Sequence, residues 1–194
     1  MVWLCGGVLI AVSRIPQMRT KVTAANIEQT VRDWLDKAGC SVKRDDVPET
    51  FFRFTATLLG GTIILIGRAR AGLSDHVIIR GDIVNENTIP KEFAAAPLAD
   101  QERLIELIKL ELARARVGYA GLGFPISQQF SISKSVRITD SLKEEDFMRA
   151  LWDVEAALHA VLSIYRMWLK TLTPPTAQEQ MQAPHSPEST THAN

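Results

Sequence analysis

Residues 55–72 read TATLLGGTIILIGRARAG, which places two adjacent glycines inside an apolar run and two arginines beyond it. A phosphate-binding loop needs glycines that lead from a strand into a helix N-terminus, usually with a lysine placed for the phosphates. Here Gly61 leads into TIILI, a strand-like run, and no GK[ST] is present. The stretch therefore predicts a β-hairpin with a two-residue turn, Gly60–Gly61, in which both glycines take positive φ.

Three predicted strands surround this turn, and all are rich in aromatic and β-branched residues. They are FFRFTATLL (51–59), TIILIGRARA (62–71) and HVIIRGDIV (76–84). Because side chains alternate between the faces of a sheet, each strand can be sorted into a core-facing and an outer set. The predicted core-facing set is Phe52, Phe54, Ala56, Leu58, Ile63, Leu65, Gly67, Ala69, Val77, Ile79, Gly81 and Ile83. The predicted outer set is Arg53, Ile64, Ile66, Arg68, Arg70, His76, Ile78, Arg80 and Asp82.

Three amphipathic helices are predicted around the strands. The first spans 27–38, where Asn26 and Gln29 form a capping box and Gly39 ends the helix. The second spans about 97–117 and carries one apolar stripe. A second capping box, Ser141 with Glu144, opens the last helix, which runs to about 171 and is apolar nearly all round in its late part. That part suggests burial on more than one side, by the core and by a partner subunit.

Residues 118–138 complete the pattern with a glycine-rich loop and one or two strands. The glycines there do not fit G-x-G-x-x-G, so the segment does not favour a nucleotide site. The order is α-βββ-α-ββ-α. It predicts an α+β fold, a two-layer sandwich of an antiparallel sheet with helices on one face.

Composition sets the class of protein. With 194 residues, 46% of them hydrophobic and 23% charged, the chain is suited to one core. Lysine plus arginine equals aspartate plus glutamate at 22 each, so no overall field attracts nucleic acid or an anionic membrane. Cys5 and Cys40 form neither a disulfide framework nor a metal-ligand cluster. We therefore expect a cytoplasmic protein that uses neither nucleic acid nor a membrane as partner.

The two ends differ from the middle. Residues 1–22 form an apolar extension whose run MVWLCGGVLIAV is shorter than the roughly 20 residues that a spanning helix needs, and Met18 is an alternative start. Residues 173–194 contain four prolines and few large apolar residues, which predicts a disordered tail. A single α+β domain is predicted for 23–172.

Particular stretches carry a resemblance. They are NIEQTVRDWLDKAG, TATLLGGTIILIGRA, HVIIRGDIV and SKSVRITDSLKEEDFMRALWDVEAAL. The chain from about 26 to 171 resembles uncharacterised prokaryotic families with the type III secretion chaperone-like fold. This resemblance implies a two-layer sandwich, a homodimer, and binding of extended or partly unfolded protein segments. It brings no catalytic set and no cofactor.

The outer set suggests a candidate surface, because it mixes isoleucines with arginines. The hypothesis is a site for an acidic or amphipathic protein segment, in which isoleucines supply contact area and arginines bind carboxylates. The alternative is a structural or regulatory homo-oligomeric subunit whose outer sheet face is its own interface. Single-stranded nucleic acid is less favoured because the outer set has no aromatic residue for stacking. The predicted partner-binding residues are Arg53, Ile64, Ile66, Arg68, Arg70, Ile78 and Arg80.

Enzymatic readings find less support. Asp75, His76 and Asp82 imitate a metal or acid/base set, but His159 is the only other histidine within the predicted domain. No G-x-S-x-G is present, and Cys40 has no histidine beside it in sequence. We therefore expect no enzyme activity, no catalytic or metal-binding residue and no cofactor.

Overall fold

The structure, a computed structural model, describes residues 21–84, 96–123 and 129–172. Its helices are α1 (Ile27–Lys37), α2 (Leu98–Ala115) and α3 (Glu144–Leu172). Its strands are β1 (Ser41–Asp45), β2 (Thr50–Thr57), β3 (Ile63–Ala69), β4 (His76–Val84), β5 (Gly118–Ala120) and β6 (Gln129–Arg137). Neighbouring strands are antiparallel in the order β1-β2-β3-β4-β6-β5. The predicted α+β two-layer class is confirmed.

One face of the sheet and the helices enclose the core. Phe54, Ile66, Ile79 and Ile132 stand on successive central strands and are at most 1% exposed. Burying an aliphatic or aromatic side chain of this size stabilises a fold by roughly 1.5–3 kcal/mol, so this face holds the domain together. The helices contribute the stripes Ile27, Val31, Leu35 from α1, Leu104, Ile108, Leu112 from α2 and Phe147, Leu151, Val154 from α3.

The predicted β-hairpin between β2 and β3 is present, but its loop has three residues. The Leu58 N–H donates to the Thr62 carbonyl at 2.9 Å, and the Gly61 N–H donates to the Leu58 carbonyl at 2.9 Å. Gly61 takes φ of 81°, whereas Gly60 does not have a positive φ. Leu59 to Gly61 therefore form a type I turn followed by a left-handed residue, and the predicted two-residue turn was wrong.

The extra loop residue inverts β3. Thr57 pairs with Ile63, Ala56 with Ile64 and Phe54 with Ile66. A two-residue turn would instead place Leu58 opposite Ile63, and a slip of one residue exchanges the two faces of a strand. Ile64 and Ile66 are therefore 0% exposed in the core, while Ile63 is 60% exposed. The prediction that Ile64 and Ile66 face outward, with Ile63 and Leu65 inward, was wrong.

Arg68 follows the same inversion. It pairs with the core residue Phe52, and its Nη1 donates to the carbonyl of Ala24, just before α1, at 2.9 Å. Arg68 therefore lies on the helix side of the sheet, which corrects its predicted outward position.

The predictions for β2 and β4 hold. Phe52, Phe54 and Ala56 are at most 2% exposed, and Val77 and Ile79 are fully buried. At Gly81 a Cβ atom would overlap the side chain of Leu158 on α3. Gly81 thus lets the long helix cross β4 at close range.

Two further features differ from the sequence expectations. The polar strand β1, SVKRD, was not predicted; it forms an edge of the sheet, where charged residues discourage pairing with other chains. The Asn26 side chain does not cap α1, because it accepts from the Thr23 N–H at 2.7 Å and donates to the Lys21 carbonyl. Gln29 donates to Asp33 rather than completing a capping box.

The late part of α3 is buried along one stripe. Val161 and Tyr165 are at most 2% exposed, whereas Met167 is 62% exposed. No helix in the described part of the chain has the length and hydrophobicity of a bilayer-spanning segment. The predicted extension 1–22 lies outside the described residues except for its last two, of which Val22 is buried in the core. The predicted tail, 173–194, lies wholly outside them.

Candidate functional site

The face of the sheet opposite the helices is the candidate surface, which we call the outer face. Two rows of paired residues cross it from β1 to β6. The first row is Asp45, Arg53, Gly67, Ile78 and Ser135. The second row is Lys43, Thr55, Leu65, Arg80 and Ser133, and Ile63 and Asp82 lie beyond it on β3 and β4.

The centre of the outer face is aliphatic. Ile63 is 60% exposed, and Leu65 and Ile78 are half-buried among their neighbours. At Gly67, between Arg53 and Ile78, an added Cβ would lie 3.5 Å from Cγ of Arg53. An added Cβ would also lie 3.0 Å from the Phe52 carbonyl oxygen, so a side chain at Gly67 would crowd the backbone of β2 rather than the Arg53 side chain.

Two ion pairs lie on the outer face, and Lys43 at its β1 edge has no carboxylate within 4.0 Å among the described residues. Arg53 Nε lies 3.2 Å from Asp45 Oδ2, and Arg80 Nε lies 2.6 Å from Asp82 Oδ1. The Thr55 hydroxyl also donates to Asp45 Oδ2 at 2.7 Å. This hydroxyl, and after it Arg53, hold the pKa of Asp45 below its usual value despite partial burial of the carboxylate. The outer face is thus an aliphatic strip between two internal ion pairs.

The structure brings together only part of the predicted partner-binding set. Arg53, Ile78 and Arg80 lie on the outer face as predicted. Arg70 lies just beyond β3, where its Nε donates to the Thr50 carbonyl at 2.9 Å. The remaining members, Ile64, Ile66 and Arg68, are on the helix side.

This arrangement weakens one element of the sequence hypothesis. Binding of an acidic segment required arginines with free guanidinium groups on the same face as the isoleucines. Arg53 and Arg80 are already engaged by Asp45 and Asp82. The outer face is therefore better suited to apolar and mixed-polarity contacts than to an acidic segment.

Asp75, His76 and Asp82, which resemble a metal or acid/base set in the sequence, belong to two separate groups of ion pairs. His76 Nδ1 lies 2.7 Å from Asp75 Oδ1, and Arg137 Nε lies 3.3 Å from Asp75 Oδ2. The hydrogen bond from His76 lowers the pKa of Asp75. Asp82 stands six positions further along β4 and pairs with Arg80, so it does not join this group. Among the described residues, no three His, Cys, Asp or Glu side chains converge as a metal site.

Cys40 lies in surroundings that oppose nucleophilic chemistry. It is 7% exposed, and burial, followed by the charges of Glu155 and Asp36, raises the pKa of its thiol. A reactive cysteine needs the opposite, a lowered pKa that provides thiolate at neutral pH. His159 lies near the hairpin instead, with Nε2 3.3 Å from the Thr62 hydroxyl and 3.9 Å from Glu155.

Sequence reasoning missed Ile63, Leu65 and Asp45 as members of the outer face. The run TIILI contains four consecutive aliphatic residues, so its alternation cannot fix which of them point inward. The usable signal was in the loop, since a three-residue hairpin with glycine at the left-handed position also matches LGG. Asp45 was missed because β1 itself was not predicted.

A family model and a solved structure with a similar fold match this chain. A family model described as "Uncharacterized conserved protein (DUF2299)" matches residues 27–164. The crystal structure of an uncharacterized protein from Methanothermobacter thermautotrophicus superimposes with a TM-score of 0.63 at 15% identity, covering 75% of this chain and 99% of that one. YbjN from E. coli has a TM-score of 0.40 at 11% identity, covering 77% and 96%. None of the curated proteins compared with the chain matches it.

Proposed function

The chain belongs to the family of uncharacterized conserved proteins DUF2299, and we propose that it is a non-enzymatic, chaperone-like protein-binding domain. In this proposal the fold is of the type III secretion chaperone-like kind, the protein is cytoplasmic, and the outer face receives a segment of another protein. The segment presents aliphatic side chains to the centre of the face and polar groups to its ion pairs.

One observation carries the proposal: in the described part of the chain no helix covers the outer face, and the centre of that face is aliphatic. Ile63 is 60% exposed beside Leu65 and Ile78. Aliphatic side chains grouped on a flat surface and bordered by polar groups are typical of protein interaction sites. Burying these side chains against a partner would stabilise the complex by about 25 cal/mol per Å² of apolar area removed from water.

Charge decides what kind of segment fits. Arg53 and Arg80 are each paired with a carboxylate, which leaves Lys43 as the one unmatched charge of the two described rows, so the face exerts only a weak net attraction on a charged partner. An amphipathic segment can pack its apolar side against Ile63 and Leu65 while the two ion pairs of the outer face stay intact. We therefore replace the acidic segment expected from sequence with an amphipathic one.

Charge balance also supports a second candidate, a homo-oligomeric subunit whose own copy covers the outer face. A two-fold interface places a surface against itself, and a surface of one charge sign would repel its copy. The outer face comes close to this requirement, because Arg53 and Arg80 are matched by Asp45 and Asp82 and only Lys43 of the two described rows is left unmatched.

Ile63→Asp separates the candidates, with Leu59→Asp as its control. Both introduce one carboxylate in place of an exposed aliphatic residue, but Leu59 is 84% exposed in the hairpin loop rather than on the outer face. Two measurements are made on the full chain: oligomeric state by size-exclusion chromatography with light scattering, and suppression of the aggregation of reduced insulin.

The protein-binding proposal expects the wild type and Leu59→Asp to suppress aggregation and Ile63→Asp to lose this effect. The homo-oligomer candidate expects a dimer that Ile63→Asp converts to a monomer, with no suppression by any variant. Equal behaviour of all three proteins in both measurements would exclude the outer face from either role.

A further inference from the structure

We propose that Arg68, Arg70 and Phe51 form a binding site for a phosphate monoester at the end of β3. The site lies at the end of β3 opposite to Ile63, and the inference does not depend on the proposed function. The three residues meet at a β-bulge, because β2 and β3 pair Thr50 with Ala69 and Phe52 with Arg68 and leave Phe51 as the extra residue.

Phe51 brings the two arginines together. The guanidinium carbon of Arg68 lies 4.3 Å from the centroid of the Phe51 ring, and that of Arg70 lies 5.2 Å from it. Both distances are within the range of cation–π contact. Since they share one ring, the two cationic groups lie within about 10 Å of each other, which is one Debye length at 0.1 M salt.

Both guanidinium groups are anchored by uncharged acceptors. Arg68 donates from Nε to the Ser74 carbonyl at 2.6 Å and from Nη1 to the Ala24 carbonyl at 2.9 Å, and Arg70 donates from Nε to the Thr50 carbonyl. Of the five N–H donors of a guanidinium group, Arg68 uses two in these bonds and Arg70 uses one. The anchors fix orientation and leave both positive charges uncompensated.

The nearby carboxylates do not neutralise them. Arg68 lines a cleft of about 260 Å³ and Arg70 lines one of about 320 Å³. Every carboxylate lining these clefts has another cation within 4.0 Å, and among the described residues neither arginine has a carboxylate at that distance. The pairs are Asp75 with Arg137 and His76, Asp140 with Lys21, Asp45 with Arg53, and Asp46 with Arg44.

The positive charges and spare N–H donors of Arg68 and Arg70 determine which ligand fits the site. Two unpaired guanidinium groups with spare N–H donors match a group that carries about two negative charges and several acceptor oxygens. A phosphate monoester carries about −1.5 to −2 at pH 7 and three acceptor oxygens. One cleft, of about 260 Å³, is smaller than ligand pockets of roughly 300–1,000 Å³ and the other, of about 320 Å³, is at their lower end, which suits one phosphate group rather than a large cofactor.

The test titrates the full chain with inorganic phosphate and, separately, with O-phosphoserine, and records two-dimensional ¹H–¹⁵N NMR spectra that include the arginine side-chain signals. Sodium chloride at matched ionic strength is the reference. We expect saturable shifts at Phe51, Arg68 and Arg70. A stronger response to phosphoserine than to inorganic phosphate would identify a phosphorylated side chain as the source, and the reverse a free phosphate.

Arg70→Gln is the informative variant, since Arg70 is exposed and makes one backbone hydrogen bond, whereas Arg68 also tethers the segment before α1. Its phosphate affinity should fall about tenfold or more. The control is Arg80→Gln, which removes the same charge from a carboxylate-paired arginine and should leave affinity within about twofold.

Three results would overturn the site. They are shifts that chloride reproduces at equal ionic strength, equal losses in Arg70→Gln and Arg80→Gln, and binding of single-stranded RNA without any response to phosphate or phosphoserine.

Discussion

Adjacent residues of β3 lie on opposite faces of the sheet, and the two faces differ in burial and in the residues that oppose them. Ile66 is 0% exposed and opposes Phe54 beneath the helices, whereas its neighbour Leu65 opposes Thr55 and Arg80 on the outer face. Both are aliphatic, so composition does not distinguish them. What separates them is the hairpin loop, whose length determines which residues point inward. The inner face holds the domain together, and none of the described helices packs on the outer face.

A matched pair of substitutions is the strongest challenge to this comparison. Ile66→Asp buries a carboxylate without a partner and removes core packing, so it should destabilise by more than about 4 kcal/mol and unfold the chain. Leu65→Asp places the carboxylate beside Arg80 and should cost less than about 1 kcal/mol. Urea unfolding followed by circular dichroism measures both. Similar losses in the two variants would contradict the assigned register.

Gly81 tests how closely the inner face is packed. Gly81→Val introduces atoms where Leu158 already lies, and overpacking of this kind costs about 1–3 kcal/mol. Arg80→Val changes the adjacent residue on the outer face and should alter stability by about 0.5 kcal/mol or less. Urea unfolding measures both variants.

A double-mutant cycle tests whether the cost of Gly81→Val arises from contact with Leu158. Leu158→Ala creates room above Gly81, so the loss from Gly81→Val should shrink in the Leu158→Ala background. Additive losses would show that the two residues do not meet.

The loop itself can be tested with its two glycines. Gly61→Ala forces an L-residue to φ of 81° and should cost about 1–2 kcal/mol. Gly60→Ala introduces a methyl group whose nearest neighbour, Glu155 Oε1, is 3.9 Å away, so it should be neutral or slightly stabilising. A two-residue turn with both glycines at positive φ would make the two substitutions equally costly, and thermal unfolding distinguishes the outcomes.

Much of the fold could be predicted from local pattern. In β6 the apolar residues alternate with polar ones, as in Phe130, Ser131 and Ile132, so the phase of that strand is unambiguous. In β3 the aliphatic run leaves the phase open, and a loop longer by one residue decided it. Such a difference in loop length changes local hydrogen bonds slightly but the burial of a whole strand completely.

The candidate sites were less accessible to sequence reasoning, because their partners are distant in the chain. Arg53 is paired with Asp45 across β1 and β2, and Arg68 reaches Ala24 before α1. Neither contact produces a periodic pattern in the sequence from which it could be predicted. Alternation identified several arginines of interest, but only tertiary structure shows which are engaged by carboxylates and which are anchored by carbonyl groups alone.

The smallest effect concerns the outer face and its dependence on pH. Because the pKa of Asp45 is lowered in the folded state, its contribution is present above the unfolded aspartate value of about 3.9 and is lost as pH falls through the lower folded value. Asp45→Asn should therefore cost about 1 kcal/mol near neutral pH, with the difference from wild type vanishing in stronger acid.

Asp46→Asn is the control, since that carboxylate is 95% exposed and its pairing with Arg44 should contribute little. Urea unfolding from neutral to acidic pH measures the difference, and a gap for Asp45→Asn that widens toward acid would have the wrong sign for an ion pair on the outer face.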